Sequence, residues 1–170
     1  DGTVNGEGGA TLILERADSA RARGANILGV IGGYGNTCAG ATTPDALENA
    51  ICASIRQATN QLPESNREIG YVNAHGASTV KGDVIEARAI KRCLDQTPVT
   101  ALKGRFGNLG AGRGAVEMAA SVLSLPSSTI PHTLNYQFPD PACPIRVIAE
   151  PAHRHKSATV LMLNYSTSGQ

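Results

Sequence analysis

The chain has 170 residues, of which 41% are hydrophobic, and its formal net charge is +1 at pH 7. This length suits one hydrophobic core, so we expect a single domain over residues 1–170, and the interspersed charges argue against a nucleic-acid partner. No apolar run approaches the ~20 residues of a membrane span and no signal-peptide pattern opens the chain, which predicts a cytoplasmic protein without a membrane span.

Apolar runs with the length of strands alternate with helical patterns along the chain. The first two runs, ATLILER at 10–16 and NILGVIGGYG at 26–35, predict strands. A helix is predicted from Pro44 to about Leu62, with Thr43 as its N-terminal cap. The run IGYVNA at 69–74 then predicts a central strand.

Two more helices are predicted, from Asp83 to Leu94 and from Arg113 to Leu125, and the run KSATVLMLNY at 156–165 predicts a closing strand. This alternation is typical of layered α/β proteins. The proline-rich stretch at 131–155 predicts a long functional or interface loop. Both ends look unfinished, and we expect a partner segment from the parent polypeptide or from another chain to cover the last strand.

His75 is the first candidate for chemistry. It follows the predicted central strand and lies between Ala74 and Gly76, and open α/β sheets bind ligands at the carboxyl ends of their strands. We therefore expect an exposed imidazole there, and the alternative is a hydrogen-bonded structural histidine. Asp83 and Glu86 share a helix face, where they are expected to be a capping acid and a solvated charge.

A second cluster of polar residues lies in ALKGRFGNLGAGRGAVEMAA at 101–120. Lys103 follows a short predicted strand, Asn108 lies in a glycine-rich turn, and Glu117 falls inside the next helix. Glycines let a backbone approach a ligand closely, so the arrangement suggests a site for an anion or a carbonyl. The spacing matches neither the P-loop nor the dinucleotide fingerprint, and Lys103 could equally be a solvated charge.

The four cysteines are Cys38, Cys52, Cys93 and Cys143, and no two of them form a CxxC pair. Their separation favours a reducing compartment and argues against a zinc or other metal site. Cys52 and Cys93 fall within helical patterns and are expected to be small core residues, and we expect none of the four to be catalytic.

Four separated motifs resemble one family. They are DGTVNGEGGATLILE, then YVNAHGAST with GDVIEARAIKR, then KGRFGNLGAGRGAVE, and finally IPHTLNYQFPDP. Their order and spacing resemble the C-terminal half of β-ketoacyl synthases of the thiolase superfamily, and the resemblance covers nearly the whole chain. It implies half of a thiolase-like α/β/α fold, with a mixed sheet flanked by helices and completed by an N-terminal half that this chain does not contain.

The resemblance also implies roles for four side chains. His75 matches the first active-site histidine, Lys103 matches the lysine that precedes the second histidine motif, and Glu117 matches the glutamate that organises this lysine. Asn108 takes the place of the second histidine and provides a neutral amide donor. Related condensing enzymes with a cysteine, a histidine and an asparagine are active, so this replacement is compatible with catalysis.

The binding of substrate is implied in the same way. Thr79 matches one of two threonines that contact the pantetheine arm, Ala77 stands where the second would be, and Gly107 is a further substrate-binding position. The substrates would arrive on the phosphopantetheine of an acyl carrier protein, and no other cofactor is expected. The nucleophilic cysteine belongs to the missing half, and NYSTSGQ at 164–170 replaces the family's gating loop.

The implied reaction is a decarboxylative Claisen condensation in fatty acid or polyketide synthesis, carried out by a dimer. Two alternatives remain open. The chain could belong to a catalytically silent subunit that sets chain length in a heterodimer, as the loss of the second histidine would suit. It could also be a scaffold that only binds a carrier protein, with Arg105 and Arg113 attracting an acidic partner.

Overall fold

A computed structural model describes residues 2–151 and 153–166. It contains a four-stranded parallel sheet of order β3-β2-β1-β4. The strands are β1 Tyr71–Asn73, β2 Pro98–Thr100, β3 Arg146–Val147 and β4 Val160–Met162. The helices are α1 Ala17–Ala22, α2 Pro44–Asn60, α3 Val80–Leu94, α4 Lys103–Phe106 and α5 Arg113–Ser124, and short 3₁₀ turns lie at Glu64–Asn66, Gly110–Gly112 and Leu125–Ser127.

Alternation along β1 separates the two faces of the sheet. Val72 joins the apolar core that α2 and α3 form on one face. Tyr71 and Asn73 point to the other face, where they form hydrogen bonds with Ser124 at 2.8 Å and Ser121 at 3.0 Å, both on α5. The sheet therefore has helices on both faces, which confirms the expected α/β/α layering.

The predicted helices are confirmed, with ends that differ by a few residues at most. The Thr43 hydroxyl accepts a hydrogen bond from the Ala46 amide at 3.3 Å, so Thr43 caps α2 as expected. α3 begins at Val80 and not at Asp83, because Thr79 already has the extended backbone of an N-cap residue. The Asp83 carboxylate accepts a hydrogen bond from the Thr79 amide at 3.3 Å, which confirms Asp83 as a capping acid.

The first two predicted strands are wrong. Residues 10–16 and 26–35 form neither helix nor strand, and the apolar Ile13 is 90% exposed. A strand needs a neighbour for its hydrogen bonds, and none of the described residues provides one here. Residues 32–37 instead run along α2, where Gln57 accepts a hydrogen bond from the Asn36 amide at 3.0 Å and Gln61 donates one to the Tyr34 carbonyl at 2.6 Å.

The sheet differs from expectation in two further respects. We expected a mixed sheet, whereas the four described strands pair only in parallel. The stretch at 131–155, expected to be a loop, contributes the short edge strand β3, because the Ile148 amide donates to the Val99 carbonyl at 2.9 Å. The predicted closing strand is confirmed as β4. In the described part of the chain, no helix has the length and apolar character needed to cross a membrane.

The glycine-rich start of the chain packs on the turn around Asn108. The Asn108 amide donates to the Val4 carbonyl at 2.7 Å, and the Gly6 amide donates to the Asn108 carbonyl at 3.1 Å. Gly107 has a φ of +74°, and a Cβ there would lie 2.8 Å from the Gly6 nitrogen. Glycine is thus required at 107 both by backbone conformation and by this close approach.

Candidate active site

The candidate site lies where three adjacent parallel strands end. His75 follows β1, Lys103 follows β2, and Asn164 and Tyr165 follow β4. Because these strands run in the same direction, the residues that follow them meet at one edge of the sheet. Arg113, the first residue of α5, reaches the same edge.

His75 is buried, with 6% of its surface exposed, and not exposed as we had expected. Its Nδ1 accepts a hydrogen bond from the Tyr165 amide at 3.2 Å, and the two rings stack with their centroids 4.0 Å apart. The Tyr165 amide can only donate and makes the shorter of the two polar contacts of the ring, so we assign the lone pair to Nδ1 and the proton of the neutral ring to Nε2. Burial, with the charges of Lys103 and Arg113, lowers the pKa of His75 to about 3. His75 is therefore a neutral donor with a defined tautomer.

Glu86 is not the solvated charge that we had expected. It is 3% exposed, and its carboxylate accepts hydrogen bonds from the amides of His75 at 2.6 Å and Gly76 at 2.9 Å. Burial raises the pKa of Glu86 to about 7. Sequence reasoning missed this role, although Glu86 lies beside Ala87 and four residues before Ile90 on the buried stripe of α3, which was the available signal.

Lys103 and Glu117 are in contact, as the resemblance implied. Lys103 Nζ lies 3.4 Å from Glu117 Oε1, and both side chains are buried. Lys103 also donates to the His75 carbonyl oxygen. Burial lowers the pKa of Lys103 and raises the pKa of Glu117, while the attraction between the two charges opposes both shifts.

Arg113 belongs to this site, although the sequence suggested for it only a role in attracting a carrier. Its Nε donates to Asn164 Oδ1 at 2.9 Å, and its Nη1 lies 3.4 Å from His75 Nε2. Arg105, grouped with it in the sequence, is exposed, and its Nη2 lies 2.8 Å from Nδ1 of His132. The two arginines therefore have different surroundings.

Asn108 is half-buried and oriented by its own turn. Its Oδ1 accepts a hydrogen bond from the Gly110 amide at 3.2 Å. Since that amide can only donate, the atom facing it must be the oxygen, and Nδ2 is the donor of the side chain. In the part of the chain that the structure describes, the hydrogen bonds of Asn108 connect it to Val4, Gly6 and Gly110, and none joins it to His75.

The three predicted substrate-binding positions lie beside these groups in the chain. Thr79 is exposed at the N-terminus of α3. The Ala77 carbonyl accepts a hydrogen bond from the Thr3 hydroxyl at 2.7 Å, so the N-terminal segment brings a hydroxyl to this turn. Gly107 packs against Gly6, as described above.

Two curated relatives align with nearly the whole chain. It is 33% identical over 177 residues to the tetracenomycin polyketide synthase ketoacyl synthase alpha subunit of Streptomyces glaucescens, covering 99% of the chain and 41% of that protein. It is 39% identical over 153 residues to 3-oxoacyl-[acyl-carrier-protein] synthase 2 of Synechocystis sp. (strain PCC 6803), covering 84% of the chain and 36% of that protein. The chain thus spans about two fifths of the length of the relatives it matches.

A solved structure matches the fold. It is a ketosynthase of a type II polyketide synthase, bound to the hexaketide and in complex with its acyl-carrier protein, and it superposes with a TM-score of 0.75 at 29% identity over 91% of this chain and 40% of that one. The layered sheet and helices are those of a thiolase-like fold. Residues 28–137 match the family described as beta-ketoacyl synthase, C-terminal domain, and the chain belongs to this family.

Proposed function

We propose that the complete protein containing this chain is a β-ketoacyl synthase that condenses an acyl thioester with a malonyl thioester held on an acyl carrier protein. The observation that carries the proposal is the defined tautomer of His75, a neutral Nε2 donor at the carboxyl edge of the sheet. Loss of carbon dioxide from a malonyl thioester leaves an enolate whose charge lies on the thioester oxygen. Donors aimed at such an oxygen are usually the largest contribution to catalysis.

His75 and Asn108 are the donors that we assign to this oxygen. The Tyr165 amide supports His75 as an Nε2 donor, and the Gly110 amide supports Asn108 as an Nδ2 donor, because each occupies the acceptor atom of the side chain. In both residues a backbone N–H thus occupies the acceptor atom and fixes which atom of the side chain donates. A donor that is oriented before the reaction needs no rearrangement when the charge develops.

Lys103 and Glu117 are assigned to the electrostatics of the same site. The Lys103 ammonium holds the His75 carbonyl, and Glu117 supports the charged form of Lys103 through their 3.4 Å contact. Lys103 would therefore both fix the strand end that carries His75 and add a positive charge near the enolate.

The pantetheine arm is assigned to Thr79, Ala77 and Gly107. The exposed Thr79 hydroxyl would contact the arm, and the Thr3 hydroxyl, bound to the Ala77 carbonyl, lies at the turn where the second family threonine is absent. We also propose that the nucleophilic cysteine comes from an N-terminal half or from a complementary subunit, that the assembly is a cytoplasmic dimer, and that no cofactor is needed beyond the phosphopantetheine of the carrier.

A silent subunit is the second candidate function, and the observation that favours it is Asn108 in place of a histidine. An amide cannot change its charge near neutral pH. If this replacement marks a lost activity, the protein would shape the product of a partner subunit and would not release carbon dioxide itself.

The test uses the complete protein with acyl and malonyl carrier proteins, and it measures released carbon dioxide and the 3-oxoacyl product. We expect both from the parent protein, and we expect His75→Ala to lower both by a factor on the order of 10²–10³. A parent protein that binds both carriers and still releases no carbon dioxide, alone or with a partner subunit inactivated at its own cysteine, would contradict the synthase and support the silent subunit.

A further inference from the structure

A hydrogen-bond donor of His75 and one of Arg113 face each other. The Tyr165 amide leaves Nε2 as the donor of the imidazole, and Arg113 Nη1 is also a donor and lies 3.4 Å from Nε2. Arginine has no acceptor atom, so this contact cannot be a hydrogen bond while the His75 proton is on Nε2. The buried His75 and the half-buried Arg113 therefore have unused donor capacity that points to an anionic acceptor.

We infer that Arg113 Nη1 is a further donor to the anionic oxygen that His75 Nε2 binds, in addition to the Asn108 amide assigned above. The identification of that oxygen as the thioester oxygen of the malonyl-derived enolate rests on the proposed function. Arg113 thereby becomes a catalytic residue with a role beyond the attraction of a carrier, and it supplies the positive charge that the neutral Asn108 cannot.

The spacing suits this role. An oxygen at about 2.9 Å from each nitrogen, the usual hydrogen-bond length, can be shared by two donors that are 3.4 Å apart. Both donors are also oriented by consecutive residues after β4. Asn164 Oδ1 accepts from Arg113 Nε at 2.9 Å, and the Tyr165 amide donates to His75 Nδ1 at 3.2 Å. The end of β4 therefore fixes the two donors relative to each other.

The charges at the site favour Arg113 over Lys103 as the group that meets a new negative charge. Lys103 is paired with the buried Glu117. Arg113 forms no salt bridge with a carboxylate among residues 2–151 and 153–166, and the side chain that accepts its Nε–H is the neutral amide of Asn164. Its positive charge is thus the less compensated one beside His75.

The reaction step is balanced without another reactant. The bond between the malonyl α-carbon and its carboxylate breaks, carbon dioxide leaves, and the electron pair of that bond becomes the enolate. The negative charge moves from the carboxylate to the thioester oxygen, between His75 and Arg113. A cation at the oxygen stabilises the transition state more than the bound substrate, so its removal should lower kcat more than it raises KM.

The first arm of the test measures malonyl decarboxylation by the complete protein and by its variants Arg113→Gln and Arg113→Lys. Arg88→Gln, an exposed arginine on α3, is the matched control. We expect Arg113→Gln to lower kcat by a factor on the order of 10²–10³ with KM within about threefold, as for one lost oxyanion donor. Arg113→Lys, which keeps the charge and loses the planar geometry, should lose about tenfold, and the control should keep the parent rate. A raised KM with kcat retained would overturn the inference.

The second arm does not depend on turnover. It compares the binding of a pantetheine-linked nitroalkane as its anionic nitronate with that of the uncharged ketone of the same shape. The parent and Arg88→Gln should prefer the nitronate by about tenfold or more, and Arg113→Gln should lose this preference. If the parent releases no carbon dioxide but shows the preference and Arg113→Gln removes it, the proposed function fails and the oxyanion site stands. An unchanged preference in Arg113→Gln overturns the site whatever the activity.

Discussion

The Glu86 carboxylate accepts a hydrogen bond from the His75 amide at 2.6 Å, so a buried acid on α3 holds the strand end that presents the imidazole. The other carboxylate oxygen of Glu86 accepts a hydrogen bond from the Gly76 backbone amide at 2.9 Å. The ionised carboxylate satisfies both donors with acceptor atoms alone, which a glutamine cannot do.

Glu86→Gln should therefore destabilise the protein and lower its activity. One amide nitrogen would face a backbone N–H, and a buried unsatisfied donor costs about 1–3 kcal/mol. Urea unfolding measures the free energy, with the exposed Glu64→Gln as the control. Equal stability of the two variants would show that Glu86 does not hold this turn.

The pH dependence of stability should contain two opposing contributions. His75 has its pKa lowered from 6.5 to about 3, so the unfolded chain binds the proton first and stability is lost as pH falls below 6.5. Glu86 has its pKa raised from 4.5 to about 7, so the folded protein keeps the proton longer and stability is lost as pH rises from 4.5 to 7.

Between pH 4.5 and 6.5 the two contributions to the free energy of unfolding compensate each other. In this range His75 binds a proton in the unfolded chain only, and Glu86 binds one in the folded protein only. Removing the acid in Glu86→Gln should expose the contribution of His75, and the free energy of unfolding should fall more steeply than in the parent as pH drops through this range. Unfolding curves at half-unit pH steps check this, and parallel profiles for parent and variant would contradict it.

The contributions of Lys103 and Glu117 to the free energy of unfolding should depend on each other. Lys103→Met or Glu117→Leu alone leaves a buried charge without its partner and should cost about 3–5 kcal/mol, whereas the double variant should lose less than either single change. The exposed pair of Lys91 and Asp95 provides the control, because Lys91→Met should cost at most about 1 kcal/mol. Additive losses at 103 and 117 would show that the contact is energetically unimportant.

His75→Ala should separate the two half-reactions of the complete enzyme. Malonyl decarboxylation should fall by a factor on the order of 10²–10³, the cost of one oxyanion donor, while acyl transfer to the nucleophilic cysteine should survive better. Single-turnover assays with malonyl and acyl carrier proteins measure the two steps separately. Equal losses in both would indicate a structural histidine.

Asn108 should behave as a donor if the protein is a synthase. Asn108→Ala should cost roughly 2–4 kcal/mol of transition-state stabilisation, and Asn108→Asp should be worse because a carboxylate repels the enolate. The value of kcat/KM for condensation checks both. The same product profile from asparagine, alanine and aspartate at 108, when the protein is assembled with its partner, would instead support the silent subunit.

Local sequence alone determined several elements of this protein. Thr43 and Pro44 mark the start of α2, and the apolar run before His75 marks β1, because caps and buried runs act within a few residues. The motif spacing also identified His75, Lys103 and Glu117 together, and the structure brings these three into contact through the Lys103 ammonium.

The features that need contacts between distant parts of the chain were decided only by the tertiary structure. ATLILER and NILGVIGGYG have the pattern of strands, yet a strand forms only beside another strand, and the described residues offer none there. In the sequence, Glu86 and Arg113 look like ordinary surface charges. Glu86 becomes a site residue because the amides of His75 and Gly76 donate to it. Arg113 becomes one because it contacts Asn164 and His75. Burial and the tautomer of His75 follow from Tyr165, ninety residues away, which no local pattern around His75 can indicate.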